Sequence, residues 1–208
     1  MSDTPLIFAD NNATTPVAPE VVAAMQPYFG PEFFNPSSMY EPALKVAGAL
    51  KAARKTVAAF LGGVEPSEVL FTSCATESNN AAIFGVAAAN PKRKHVVTSA
   101  VEHPAVLEVC RELQRRGYEV TILPVDRQGQ IAVADYVRAL RPDTLLVTLM
   151  HANNETGVVW PVGDWARIAK ETDPGIVFHT DATQTAGKLP LDLVGELAHV
   201  DLLSFSGH

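Results

Sequence analysis

Cysteine is scarce in this chain, with two residues, Cys74 and Cys110, among 208. They form no CxxC and no Cys/His spacing of the kind that binds zinc, and two thiols in a chain this long make no disulfide framework. A reducing compartment, the cytoplasm, is therefore expected. Positive charge is also short: 16 Lys and Arg face 23 Asp and Glu, a formal net charge of −7, and the bases are scattered apart from Pro91-Lys92-Arg93-Lys94. That balance argues against nucleic acid or an anionic membrane as the main partner. No apolar run approaches the roughly 20 residues that cross a bilayer, and residues 1–10 carry acids where a signal peptide has a basic segment. A soluble protein without export is expected. Internal repeats, low-complexity linkers, a Walker loop and a GxGxxG turn are all missing. What remains is a chain that is 47% hydrophobic and 19% charged, long enough for one sizeable buried core.

Short apolar runs alternate with segments of helical periodicity, the pattern of an α/β fold with a mostly parallel sheet covered by helices. Strands are expected at residues 69–71, 95–98, 119–123, 145–150, 176–178 and 201–204. Helices fit residues 78–89, 105–116, 133–140 and 162–170, each a crossover of a βαβ unit. Ahead of them, residues 43–60 read as a longer amphipathic helix that stops at Gly62-Gly63. The first forty residues differ. Pro16, Pro19, Pro27, Pro31 and Pro36 punctuate an irregular arm with one short helix from Pro19 to about Met25. The division expected is an arm over 1–40 and a large domain over 41–208.

In a sheet of this kind ligands bind beyond the carboxyl ends of the strands, and the residues there are unusually polar. Thr72-Ser73-Cys74-Ala75-Thr76-Glu77-Ser78-Asn79 leads into a helix whose free N–H groups, with the Thr76 hydroxyl, suit a phosphate; taken alone, the run reads more simply as an ordinary helix cap. His103 lies at the mouth of the sheet before another helix, as an active imidazole or as a surface residue. His151-Ala152-Asn153-Asn154-Glu155-Thr156-Gly157 is dense in hydrogen-bonding groups, although a turn also favours Asn and Gly. Asp181 is more informative, because an apolar strand delivers it to the sheet's end. A carboxylate there needs a cation or several donors, and no Lys or Arg is adjacent. A bound metal or protonated heterocycle, or a structural cap, would meet that need.

Seven runs in order resemble the cysteine desulfurases of the class-V aminotransferase family. They are Asp10-Asn11-Asn12-Ala13-Thr14-Thr15-Pro16, Asn35-Pro36-Ser37-Ser38, Phe71-Thr72-Ser73-Cys74-Ala75-Thr76-Glu77-Ser78, Glu102-His103, Asn153-Asn154-Glu155-Thr156-Gly157, Asp181-Ala182-Thr183-Gln184 and Ser204-Phe205-Ser206-Gly207-His208. The nitrogen-fixation and iron–sulfur-assembly type is the nearest in pattern. The resemblance implies the large domain of a fold-type I enzyme dependent on pyridoxal 5'-phosphate. Ala75, Thr76, Ser206 and His208 then look like the phosphate cradle. His103 looks like the catalytic ring that stacks on the pyridine and moves protons. Asp181 would pair with the pyridinium nitrogen, Gln184 would bond the phenolic oxygen, and Asn154 would reach that oxygen and the substrate carboxylate.

The implied reaction converts L-cysteine to L-alanine in a homodimer, with sulfur passed as an enzyme persulfide to an acceptor or iron–sulfur scaffold protein. The same superfamily contains selenocysteine lyases and small-amino-acid aminotransferases, and a non-catalytic scaffold is a reading of a different class. Two positions depart from the family pattern. Phe34 stands where a Gly is usual and Tyr40 where a His is usual, both in the arm that approaches the active-site entrance. The resemblance further implies a cofactor-bearing Lys directly after His208, then a small domain with the persulfide Cys and a substrate-binding Arg. A longer enzyme is therefore expected. Neither Cys74 nor Cys110 fits the persulfide role, since one lies in the phosphate turn and the other within a helix.

Overall fold

The computed structural model describes residues 7–207. Its elements run α1 (Pro19–Met25), α2 (Glu41–Phe60), α3 (Ala75–Ala89), β1 (His95–Ser99), α4 (Pro104–Arg115), β2 (Glu119–Leu123), α5 (Val133–Ala139), β3 (Thr144–Thr148), α6 (Val162–Thr172), β4 (Val177–Asp181) and β5 (Leu202–Ser204). Two compact units are present, one ending at Thr56 and the other spanning Val57–Gly207, so α2 runs across the boundary.

In the first unit, Pro19 opens α1, a helix with no buried residue, and a short 3-10 turn follows. The two residues that depart from the family pattern meet here. Phe34 packs edge-to-face on Tyr40 with ring centroids 6.0 Å apart, and its other neighbour Phe33 stacks at 4.6 Å.

In the second unit five strands form one parallel sheet in the order β2-β1-β3-β4-β5. β1 and β3 are buried at every residue, as befits central strands covered on both faces. Val96 and Leu146 pack with Ile83 and Val86 of α3 and Val106 and Leu113 of α4. Val97, Val147 and Phe178 belong to the other cluster, with Tyr136 of α5 and Trp165 and Ala169 of α6. The buried residues of α4 fall at 105, 106, 109, 110 and 113, and those of α6 at 162, 165, 166 and 169, the spacing of one helical face. At the end of the sheet away from the candidate site, the buried ring of His95 bonds Thr144 and Thr121, each at 2.8 Å, and so ties β1 to both neighbours.

One expected strand is absent. Residues 69–71 form no ladder, although the backbone at Val69 is extended. Val69 and Leu70 line an open groove of about 580 Å³ whose other wall includes Leu202 and Leu203 of β5. The groove separates the segment from the sheet edge, and a strand exists only where a neighbour completes its hydrogen bonds. The other shifts are smaller. Helix α3 begins at Ala75 rather than residue 78, and β4 runs to Asp181 rather than stopping at 178. Past α2, Gly62 holds φ at +92° with Asp192 packed against its Cα, so both conformation and space require glycine.

Tyr136 is fully buried and its hydroxyl donates to the Trp165 carbonyl at 2.6 Å, joining α5 to α6. Tyr136→Phe removes this bond while the carbonyl keeps its place in the α6 ladder, and it is expected to lower the unfolding free energy of the full-length protein by about 0.5–1.5 kcal/mol. Denaturant titration measures it, and an unchanged midpoint would contradict the assignment.

Candidate active site

The chain passes from β1 through α4 to β2 on one side of the sheet and returns to place β3 on the other side of β1. Such a reversal of strand order opens a crevice at the carboxyl ends of the strands. His103 follows β1, Asn153 and Asn154 follow β3, Asp181 ends β4, and Ser206 lies two residues beyond β5.

Asp181 is 7% exposed, and neutral donors hold its carboxylate. Asn79 Nδ2 donates to Oδ2 at 2.7 Å, and the Thr183 amide donates to Oδ1 at 2.9 Å. Its own carbonyl accepts from the His151 amide at 2.8 Å, which fixes the start of the loop after β3. Among the described residues no Lys, Arg or His forms an ion pair with it. Two nearby imidazoles are neutral. His179 lies between Thr148 and Ser204, at 2.8 and 3.0 Å, and burial pushes it down to about 4 against the opposing pull of Asp181. Burial also lowers His151, whose Nδ1 meets the Thr185 hydroxyl at 3.1 Å.

His103 is exposed and caps α4, with Nδ1 accepting from the Ala105 amide at 3.1 Å. That bond commits Nδ1 as acceptor, so the proton of the neutral ring sits on Nε2. The two Asn residues after β3 divide their work. Asn153 is buried: its Nδ2 donates to the Val101 carbonyl at 3.1 Å, while Oδ1 accepts from the amides of Glu155 and Thr156 at 3.0 and 2.9 Å. The loop it organises leaves Asn154 half-buried. Gln184 is also half-buried, with Oε1 accepting from Lys188 Nζ at 3.1 Å.

Ala75 and Thr76 form the first turn of the 15-residue α3, whose N-cap, Cys74, gives no side-chain cap bond. The amide dipoles there attract negative charge. Cys74 registers this, since its thiol is lowered chiefly by the Glu77 amide and then by the Ser73 hydroxyl, 3.7 Å from Sγ. Burial instead pushes Cys110 up to about 12. Ser206 is half-buried, and His208 lies outside the described residues. No group of three or more His, Cys, Asp or Glu among the described residues could hold a metal ion.

The class-V aminotransferase family matches residues 7–208. The chain belongs to that family. It is 50% identical over 203 residues to "Cysteine desulfurase 2" of Trichormus variabilis, covering 98% of this chain and 50% of the relative. "Cysteine desulfurase NifS" of Azotobacter vinelandii is 48% identical over 202 residues, 97% of this chain and 49% of the relative. A solved structure described as "SspA in complex with cysteine" superposes with a TM-score of 0.90 at 42% identity, over 96% of this chain and 56% of that one. The chain thus spans about half the length of the curated relatives it matches. Class-V aminotransferases and cysteine desulfurases are in general pyridoxal phosphate enzymes.

For this class-V aminotransferase chain, sequence reasoning assigned no part to Asn79, Glu102, Asn153 or Thr183. Asn79 carried a readable signal. It falls with Ile83, Val86 and Ala87 on the buried face of α3, where a polar residue needs a partner. Thr183 gave none, since it acts through its backbone amide.

The two thiols should separate in reactivity. In cofactor-free full-length protein, alkylation of Cys74 is expected to outpace that of Cys110, with a pH–rate inflection below the free-thiol value of about 8.5. Mass spectrometry after timed iodoacetamide treatment reads it, and equal labelling of the two would contradict the turn's electrostatics.

Proposed function

We propose that the full-length protein is a pyridoxal-phosphate-dependent cysteine desulfurase, converting L-cysteine to L-alanine and retaining the sulfur as an enzyme persulfide. The observation that carries this reading is Asp181, a carboxylate at a strand end with one neutral donor on each oxygen and no cationic side chain paired with it among the described residues. The residues present fit the cofactor. Asp181 would hold a protonated ring nitrogen, Asn154 and Gln184 offer amide donors for the phenolic oxygen, and the first turn of α3 offers the Ala75 and Thr76 amides for the phosphate. Ser206 and His208 would complete that cradle. When bound, the cofactor supplies an electron sink for bonds broken at the substrate's carbons.

The chain's own contribution is orientation and proton handling. Asn154 would bind the substrate carboxylate as well as the phenolic oxygen. His103 would stack on the ring and carry a proton at Nε2, because Nδ1 is bound to the helix. Neither cysteine described here suits persulfide formation. Cys110 is buried and its thiol stays protonated, while Cys74 occupies the turn assigned to the phosphate. A homodimer is supported by exposed apolar side chains of the first unit, among them Phe29, Phe33 and Met39. Sulfur delivery to an acceptor or iron–sulfur scaffold protein, and a cytoplasmic site where both thiols stay reduced, complete the reading.

Products decide the reaction class. With saturating cofactor, L-cysteine and a thiol, the full-length enzyme should form alanine and sulfide without an oxo acid, and Asp181→Ala should abolish it. A strict oxo-acid requirement would make the enzyme an aminotransferase. Near wild-type turnover in the variant would make Asp181 a structural cap.

His103 needs a variant that spares the helix. Asn is a strong N-cap, so His103→Asn should keep the thermal midpoint while turnover falls by about 10²–10⁴-fold. Equal turnover in holo variant and holo wild type would remove the proton role.

A further inference from the structure

Glu102 is a buried acid whose carboxyl the proposed mechanism does not use. It is 4% exposed and precedes His103 in the loop between β1 and α4. Its Oε1 accepts two hydrogen bonds from different segments. The Ser99 hydroxyl, at the end of β1, donates at 2.7 Å, and the Met150 amide, just past β3, donates at 3.0 Å. Oε2 has no hydrogen-bond partner among the described residues. A second tie links the same two loops, the bond from Asn153 Nδ2 to the Val101 carbonyl. Next to these ties lie the two residues assigned to proton transfer and carboxylate binding, His103 after Glu102 on one loop and Asn154 after Asn153 on the other.

Burial pushes the Glu102 carboxyl up to about 8, and the negative charge of Asp181 adds to the shift while the Ser99 and Met150 bonds oppose it. Cys110, which also feels Glu102, is itself protonated. At neutral pH Glu102 is therefore a neutral acid. A neutral acceptor in this position joins the loops without placing a second negative charge beside Asp181.

We propose that Glu102 is a positioning residue, a buried clamp that fixes the loop carrying His103 against the loop carrying Asn154. Its effect on turnover rests on the pyridoxal phosphate reading of the site, whereas the clamp itself can be read without cofactor. Two consequences follow from the geometry. Removing the oxygen leaves the Met150 amide unpaired and only the Asn153–Val101 bond of the two ties in place, so the loops loosen, whereas replacing the acid by its neutral isostere should change little.

The test uses the full-length protein with Glu102→Gln, Glu102→Asp and Glu102→Ala. In the cofactor-free protein, amide hydrogen exchange at Met150 should be protected in wild type and Glu102→Gln, and at least about tenfold faster in Glu102→Ala. In the holoenzyme, Glu102→Gln should keep kcat within about threefold and leave the bound cofactor's absorption band in place. Glu102→Ala should lower kcat at least about tenfold and shift that band. Glu102→Asp, which retracts the oxygen by one methylene, should share the loss and keeps the experiment decisive if the alanine variant does not fold. Wild-type exchange and turnover in the folded Ala or Asp variant, or a Gln variant as impaired as Ala, would overturn the clamp. A wild-type protein that binds no pyridoxal phosphate would overturn the functional reading instead, with Met150 exchange still deciding the clamp.

Discussion

The carboxylate of Asp181 ends a buried strand, where it is stable only if donors replace the water it has lost. Two do so, the Asn79 amide from α3 and the Thr183 amide from the turn that follows. Hydrogen bonds to a charged group contribute about 1.5–3 kcal/mol each, so this pair fixes the side chain and also ties α3 to the end of β4. Asn79 can reach only because Ile83, Val86 and Ala87 dock α3 on the sheet. The backbone of Asp181 adds two further constraints, pairing with Ser204 of β5 and accepting from His151. One residue thus registers three of the segments that form the candidate site.

Burial suppresses charge on the groups around it. His179 and His151 are neutral, Cys110 keeps its proton, and Glu102 is held as a neutral acid. The negative charge of Asp181 is therefore not diluted by its surroundings. In the proposed reading the partner of that charge is a protonated heterocycle at the strand ends. At the first turn of α3, where the proposed reading places an anion, the Glu77 amide and the Ser73 hydroxyl lower the Cys74 thiol.

The elements legible in the sequence were those whose pattern is local. Alternation of apolar strands and amphipathic helices gave the parallel sheet, and β2 falls at residues 119–123 as its apolar run implies. Residues 69–71 have the composition of a strand but meet a groove where a neighbour would lie, and composition carries no information about neighbours. His103 and Asp181 were singled out from apolar runs that place them at the sheet's mouth, and the fold puts one just past β1 and the other at the end of β4. Asn79 and Glu102 were not assigned, since Asn79 meets Asp181 102 residues away and the bond that joins Glu102 to another loop comes from Met150, 48 residues away. The two adjacent asparagines show the same limit. Residue type and local pattern alone do not separate Asn153, which builds the loop, from Asn154, which the resemblance singles out.

The central claim is that Asp181, aimed by Asn79, maintains a protonated ring nitrogen. Nitrogen-15 NMR of the full-length protein loaded with ring-labelled pyridoxal phosphate reads that proton directly. At neutral pH the resonance should lie at the protonated pyridinium position in wild type and move toward the unprotonated position in Asn79→Ala. An unprotonated ring nitrogen in the wild-type protein would contradict the account.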